Sequence, residues 1–251
     1  MPYQLVKDMK EKVLASRPPK GTKSHHGGLN EETITVAALA LLDEEGLAKF
    51  SLRNLATALG VFPSAIYWYL PSKDDVAAAV ISHVLKDVVP VLPRKSWQAY
   101  LRALFVNCRD AVRAHPNTAP LLGAQLTANT RVDFHLIEGV LEALSHAGFH
   151  GDALVNAYNA TIATMVGFAT QEFSPMPESG SDWQSHARER LQSVAPDAFP
   201  LLSQNLANLR NRSFILRWDN GIGSPLDSSF DFYIEAFIAG LAQLSGKHDV
   251  K

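Results

Sequence analysis

A single cysteine, Cys108, stands in 251 residues, so no disulfide can close within the chain. A lone thiol fits a reducing compartment. No run of eighteen apolar residues occurs, which predicts no membrane span. The N-terminus carries charges throughout and lacks the apolar core of a secretory signal, so a cytoplasmic protein is expected. Neither sign of charge dominates: 23 Lys and Arg stand against 25 Asp and Glu. Catalytic signatures are missing as well. There is no G-x-S-x-G, P-loop, G-x-G-x-x-G or H-E-x-x-H, so no enzyme and no cofactor is expected. Among nine histidines, the pairs His25-His26 and His146/His150 flank breakers and present no fixed metal geometry. No strand-period alternation, internal repeat or low-complexity tract competes with helical spacing. What remains is a chain 47% apolar and 19% charged, enough for one large or two modest helical domains.

The most informative stretch is Phe50 to Lys73, FSLRNLATALGVFPSAIYWYLPSK. Ser51 is a good N-cap, and Leu52, Leu55, Ala56 and Leu59 follow at helical spacing. Gly60 suits the positive φ of a helix end, and Pro63 suits the first turn of a second helix. Ile66 and Leu70 share that helix's inner face. Two short helices joined by a glycine turn form a helix-turn-helix, whose second helix enters the DNA major groove. The same shape occurs in helical proteins that never meet DNA, so the argument rests on its surface. Tyr67, Trp68 and Tyr69 circle the second helix, and at least one must face outward. Ser64 and Ala65 are small enough to let the backbone approach base edges and a thymine methyl.

A preceding helix is predicted from Asn30, its N-cap, with Glu31 and Glu32 against the helix dipole. Ile34, Ala37, Ala38, Leu41 and Leu42 form its core stripe, and Gly46 ends it. After Pro71, Ser72 caps a further helix expected to reach about Val89. Lys73 in its first turn opposes the dipole, and a phosphate at that helix N-terminus would account for it better than solvent would.

The order of a helix closing on DEEG, then SLRNLATALGV, then IYWYLPSKDD, resembles the DNA-binding domain of the TetR family of bacterial repressors. The resemblance runs from about Leu29 to Leu85. It implies that Arg53 contacts a base or phosphate, that Ser64, Ala65 and Tyr67 face the groove, and that Tyr69 and Lys73 hold phosphates; Trp68 joins the DNA-binding candidates as one of the three aromatics that circle the helix. Phe62 and Pro63 depart from the family pattern, where polar residues are commoner.

Residues 1–28 read as a separate basic arm. Lys7, Lys10, Lys12, Arg17, Lys20 and Lys23 against Asp8 and Glu11 leave it at +4, while residues 29–89 stand at −4. Phosphate neutralisation supplies much of DNA affinity, so the arm either lies along DNA to offset the acidic domain or is a solubilising tail.

Pro90 and Pro93 mark the entry to a second helical domain, residues 90–246. Trp97, Tyr100, Leu101, Leu104, Phe105, Cys108 and Val112 form one stripe, and Leu136, Ile137, Val140, Leu141 and Leu144 another. The helices near 154–173 and 230–244 are apolar on more than one face. Such helices are buried on both sides, within one chain or at a subunit interface; the resemblance implies the latter, a homodimer through a four-helix bundle. It also implies a small-molecule effector bound among these helices, which separates the two DNA readers. Phe105, Cys108, Phe134, Met165, Phe168 and Trp183 are the candidate ligand-binding residues, with Asn107, His135 and Asn159 as orienting polar groups.

The expectation is therefore an all-α, homodimeric regulator, a three-helix helix-turn-helix domain followed by a larger ligand-binding and dimerisation domain. It would bind a double-stranded DNA operator as a repressor and be released by an effector. The alternative is a helical small-molecule-binding protein whose helix-turn-helix is non-functional.

Overall fold

The computed structural model describes residues 28–93, 96–128, 133–176 and 182–245; the basic arm, His25 and His26 lie outside them. The described residues form α-helices and short 3-10 turns with no strand. They fall into two compact units that divide between Val76 and Ala77.

In the first unit, α1 spans Glu31–Glu45 and begins on a reciprocal cap. The Asn30 side chain accepts from the Thr33 N–H at 2.8 Å, and the Thr33 hydroxyl accepts from the Asn30 N–H at 2.9 Å. Two otherwise orphaned donors are satisfied this way. Ile34, Ala38, Leu39, Leu41 and Leu42 are buried as the helical period requires, and Thr35 joins them by returning its hydroxyl to the Glu31 carbonyl. A 3-10 turn, Leu47–Lys49, brings Phe50 into this core.

The helix α2, Leu52–Leu59, starts on Ser51, whose hydroxyl accepts from the Asn54 N–H at 3.1 Å. Gly60 ends it at φ 67°, in the left-handed region. The Val61 N–H reaches back to the Ala56 carbonyl and the Gly60 N–H to Thr57, so a Schellman motif fixes the turn. The helix α3, Pro63–Tyr67, is a short helical segment opening on proline. Its Ile66 and, just past it, Leu70 are fully buried beside Leu55 and Ala56.

The helix α4, Lys73–Val84, begins where Ser72 accepts from the Asp75 N–H at 3.1 Å and donates to the Asp75 carboxylate at 2.7 Å. It ends at Val84, five residues short of the expected Val89, and turns carry the chain to Pro90. The division by packing thus falls inside α4, not at the prolines.

In the second unit, α5 (Trp97–Ala114), α6 (Ala119–Ala128), α7 (Phe134–His146), α8 (Gly151–Glu172) and α11 (Asp227–Ser245) share one core. The helix α8 lies at its centre and packs against α5, α6, α7 and α11. All seven apolar residues of the α5 stripe are buried. In α7 the buried row is Leu136, Gly139, Val140, Ala143 and Leu144, leaving Ile137 and Leu141 half-exposed. Two helices between α8 and α11, α9 (Trp183–Gln192) and α10 (Pro200–Leu209), bury no residue fully. No helix among the described residues is long and apolar enough to cross a membrane.

Candidate nucleic-acid interface and helical site

The reading surface is created by which residues α3 does not bury. At 100° per residue, Ile66 and Leu70 lie together and point inward. Ser64 and Trp68 fall on the opposite side, and Tyr67 on the flank between. Trp68 is 85% exposed and Tyr67 47%. Ser64 is exposed, while Ala65 and Tyr69 are half-buried on the other flank. Phe62, at the leading edge, is 81% exposed. Arg53 lies exposed on α2. Lys73 has a partner within the chain: its ammonium sits 5.4 Å from the centroid of the Phe50 ring, a cation–π contact that aims it from the start of α4.

The candidate ligand residues separate into three groups. Phe105, Cys108, Met165 and Phe168 meet in the core of the second unit. There Phe105 packs edge-on to Phe237 at 5.7 Å, and Phe168 does the same to Phe214 and Phe230 at 5.1 Å. The Cys108 thiol lies 3.8 Å from the Met165 carbonyl, and burial pushes its pKa up to about 12. It is a small core residue, not a nucleophile. Trp183 is half-buried on α9. Phe134 lies outside the core and is 77% exposed, because Asp133 caps α7 and leaves the first helical residue on the solvent side. The polar candidates do not converge either. Asn107 is bonded to the Val88 carbonyl at 3.1 Å, while His135 and Asn159 are exposed on α7 and α8.

Sequence reasoning missed the polar centre of this unit. Arg109 on α5 donates from Nε and Nη2 to Glu172 at 2.6 and 2.7 Å, and both residues are buried. Asp227 at the start of α11 lies 2.8 Å from Arg109 and from Arg113. The Glu172 carboxylate also accepts from the Leu226 N–H at 2.9 Å. Burial pulls the Arg109 guanidinium down, and the bonds and charges of Glu172 and Asp227 outweigh it and raise its pKa. The Arg109 guanidinium also stands 4.4 Å from the Phe230 ring centroid. The loop before α11 closes over this pair. The Gly221 N–H donates to the Glu172 carbonyl at 2.9 Å, and a Cβ on Gly221 would lie 2.6 Å from Glu172 and Phe173. Arg217 is buried in the same loop and donates to the carbonyls of Asp219 and Ser224. A charged residue at the end of a long apolar helix was the available signal.

The outer sides of α8 and α11 leave a cleft of about 530 Å³. Ala153, Asn156, Ala160, Ala236, Gly240 and Leu244 are among its lining residues. Val155 and Phe232 stand exposed on the same two helices. Among the described residues, no group of three His, Cys, Asp or Glu is placed to hold a metal ion.

A helix-turn-helix with outward aromatics, joined in one chain to a larger helical unit, defines a DNA-binding regulator of transcription. Two family models match the chain: the N-terminal domain of the bacterial regulatory proteins of the tetR family over residues 34–80, and the tetracyclin repressor-like C-terminal domain over residues 89–244. The chain belongs to the TetR family. It is 27% identical, over 87% of its length and 86% of the relative's, to an HTH-type transcriptional regulator of Saccharopolyspora erythraea. Identity to an HTH-type transcriptional repressor of Mycobacterium tuberculosis is 23%, over 90% of this chain and 85% of that one. In fold it is similar to ActR of Streptomyces coelicolor in complex with actinorhodin. That match has a TM-score of 0.65 at 24% identity and covers 87% of this chain and 99% of that one. Against BioQ with its double-stranded DNA operator the TM-score is 0.52 at 24% identity, over 65% of this chain and 96% of that one.

Proposed function

We propose that the protein is a homodimeric repressor that binds a double-stranded operator through α3 and leaves it when a small molecule enters the helical unit. The observation that carries the DNA reading is the outward placement of Ser64, Tyr67 and Trp68 while Ile66 and Leu70 hold α3 from behind. Arg53 contacts a base or phosphate from α2, Ser64, Ala65 and Tyr67 face the groove, and Tyr69 and Lys73 hold phosphates. The cleft of small residues between α8 and α11 supports dimerisation, since Ala and Gly let a partner's helices approach closely. A dimer also presents two readers to a two-fold symmetric site.

Effector control through the helical unit is the reading supported by the ActR–actinorhodin likeness. Phe105, Cys108, Met165 and Phe168 are closely packed, so an effector at that place must part α5 from α8. The domain assignment we adopt is a reading domain over 29–89 and an effector and dimerisation domain over 90–246.

Selection of bound duplexes from a random DNA pool tests the proposal. Enrichment of a two-fold symmetric sequence is the expected result. Failure to enrich any sequence would leave a small-molecule-binding protein with a non-functional helix-turn-helix. Native mass spectrometry of protein taken directly from cells then tests for a retained effector.

A further inference from the structure

We infer that Phe62 is a specificity-determining residue that reads the 5-methyl group of thymine at the edge of each half-site. The inference rests on the DNA-binding reading above and makes it chemically specific.

Phe62 is the residue immediately before α3, in extended backbone at φ −77° and ψ 146°. Its carbonyl accepts from the Ala65 N–H at 2.9 Å, so the backbone is fixed while the ring projects outward, 81% exposed. A phenylalanine ring held in water is unusual, because aromatic side chains of this size normally bury 150–250 Å². The first residues of a recognition helix are those that reach base edges. Here they are nearly empty of hydrogen-bonding groups. Pro63 has neither a side-chain donor nor a backbone N–H, and Ala65 has no polar side-chain atom. Ser64 offers one hydroxyl, which accepts several bases. The first turn therefore has no bidentate donor for guanine or adenine. In the major groove the apolar feature that distinguishes one base is the thymine methyl, and a phenylalanine ring is among the groups that contact it. Phe62 is followed in the chain by exposed Pro63 and Ser64, with Tyr67 and Trp68 exposed further along the same segment, which makes the groove its occupant.

The test begins with a duplex selected from a random pool by the full-length protein. Each thymine of a half-site is then replaced in turn by deoxyuracil, which keeps the pairing and the O4 acceptor and removes only the methyl. Loss of one buried methyl should weaken binding roughly fourfold at one or two positions per half-site. Phe62→Ala should bind the thymine and uracil duplexes equally at those positions, with an unchanged melting curve because the ring is exposed. Equal wild-type affinity for both duplexes, with sequence-specific binding intact, would overturn the inference and leave the DNA-binding reading standing. Undiminished uracil sensitivity in Phe62→Ala would overturn the assignment to Phe62. A pool from which no sequence is enriched would overturn the DNA-binding reading itself, and this inference with it.

Discussion

Arg109 and Glu172 form a buried fork-to-fork pair, with two bonds of 2.6 and 2.7 Å between α5 and the last residue of α8. Such geometry satisfies both charges at once. Removing one partner strands the other in a low-dielectric interior, which costs about 3–5 kcal/mol in comparable cases. Glu172→Ala should fall near the low end, because Asp227 still faces the guanidinium at 2.8 Å. The double variant Arg109→Met, Glu172→Leu should be less destabilised than Glu172→Ala alone, since it leaves no guanidinium at position 109 beside the vacated carboxylate site. Urea unfolding midpoints decide this. A double variant less stable than the single would show that the pair is a net stabiliser beyond what apolar packing supplies.

A smaller pH effect should arise at Asp227. Its hydrogen bonds to Arg113 and then to Arg109 hold its carboxyl below the ordinary value of 3.8. The folded value is depressed, so the stabilisation is fully present above the unfolded value. It is lost as pH falls through the folded one. The side chain is 62% exposed, and solvent screening keeps the effect at about 0.2–1 kcal/mol. Asp227→Asn should thus be slightly less stable at neutral pH and converge with the wild type as acid titrates Asp227. Urea midpoints measured from pH 7 downward give the comparison; a gap that widens in acid would contradict the sign.

The reading unit was legible because each of its signals is local. Asn30, Ser51, Gly60 and Pro63 act on backbone within three or four residues, and each lies where its chemistry predicts. The α5 stripe was legible for the same reason, since a period of 3.6 over eighteen residues has one solution. Phe134 was misplaced because apolarity alone does not reveal that a cap at Asp133 turns the first residue outward. The Arg109–Glu172–Asp227 cluster was not legible. Arg109 and Glu172 are 63 residues apart, Asp227 lies further along the chain still, and nothing in the sequence pairs them. Gly221 likewise shows its reason only once the loop lies against Phe173.

Base reading and phosphate binding should separate by mutation. Arg53→Ala or Tyr67→Ala should lose about 1–3 kcal/mol of specific binding and relax preference at one position. Lys73→Ala should weaken all sequences alike and reduce the salt slope by roughly one. Its cation–π contact with Phe50 adds a small stability loss to that variant, so melting curves must accompany the titrations. If Lys73→Ala changed sequence preference and Tyr67→Ala did not, the two roles would be exchanged.

For dimerisation, the informative positions on α11 are the exposed ones. Phe237 packs edge-on to Phe105 within the chain, so Phe237→Asp would disturb the core as well as any interface. Ala239 is exposed and Phe232 is 77% exposed. Ala239→Arg or Phe232→Asp should yield folded monomers with weakened operator binding, because a single reader contacts only one half-site. Light scattering with circular dichroism checks both properties. A wild-type protein that is monomeric at micromolar concentration would remove the basis of the prediction.

Charge arithmetic makes the final prediction, and it concerns residues outside the described ones. Residues 29–89 stand at −4, and residues 1–28 at +4. An acidic reader is repelled by DNA at long range, and cationic groups from elsewhere in the chain would offset this. Deleting residues 1–26 removes Lys7, Lys10, Lys12, Arg17, Lys20 and Lys23 from the chain. Each phosphate that the protein no longer neutralises lowers the log–log salt slope by about 0.9. If each arm neutralises roughly two to three phosphates, the truncated dimer should show a slope shallower by roughly 4 to 5 on that coefficient. Base preference should hardly change, because Ser64, Ala65 and Tyr67 are untouched. Fluorescence titrations of full-length and truncated protein from about 50 to 200 mM salt measure the difference directly. Identical slopes would show that the arm serves solubility, leaving Arg53, Lys73, Tyr69 and backbone N–H groups to bind every phosphate.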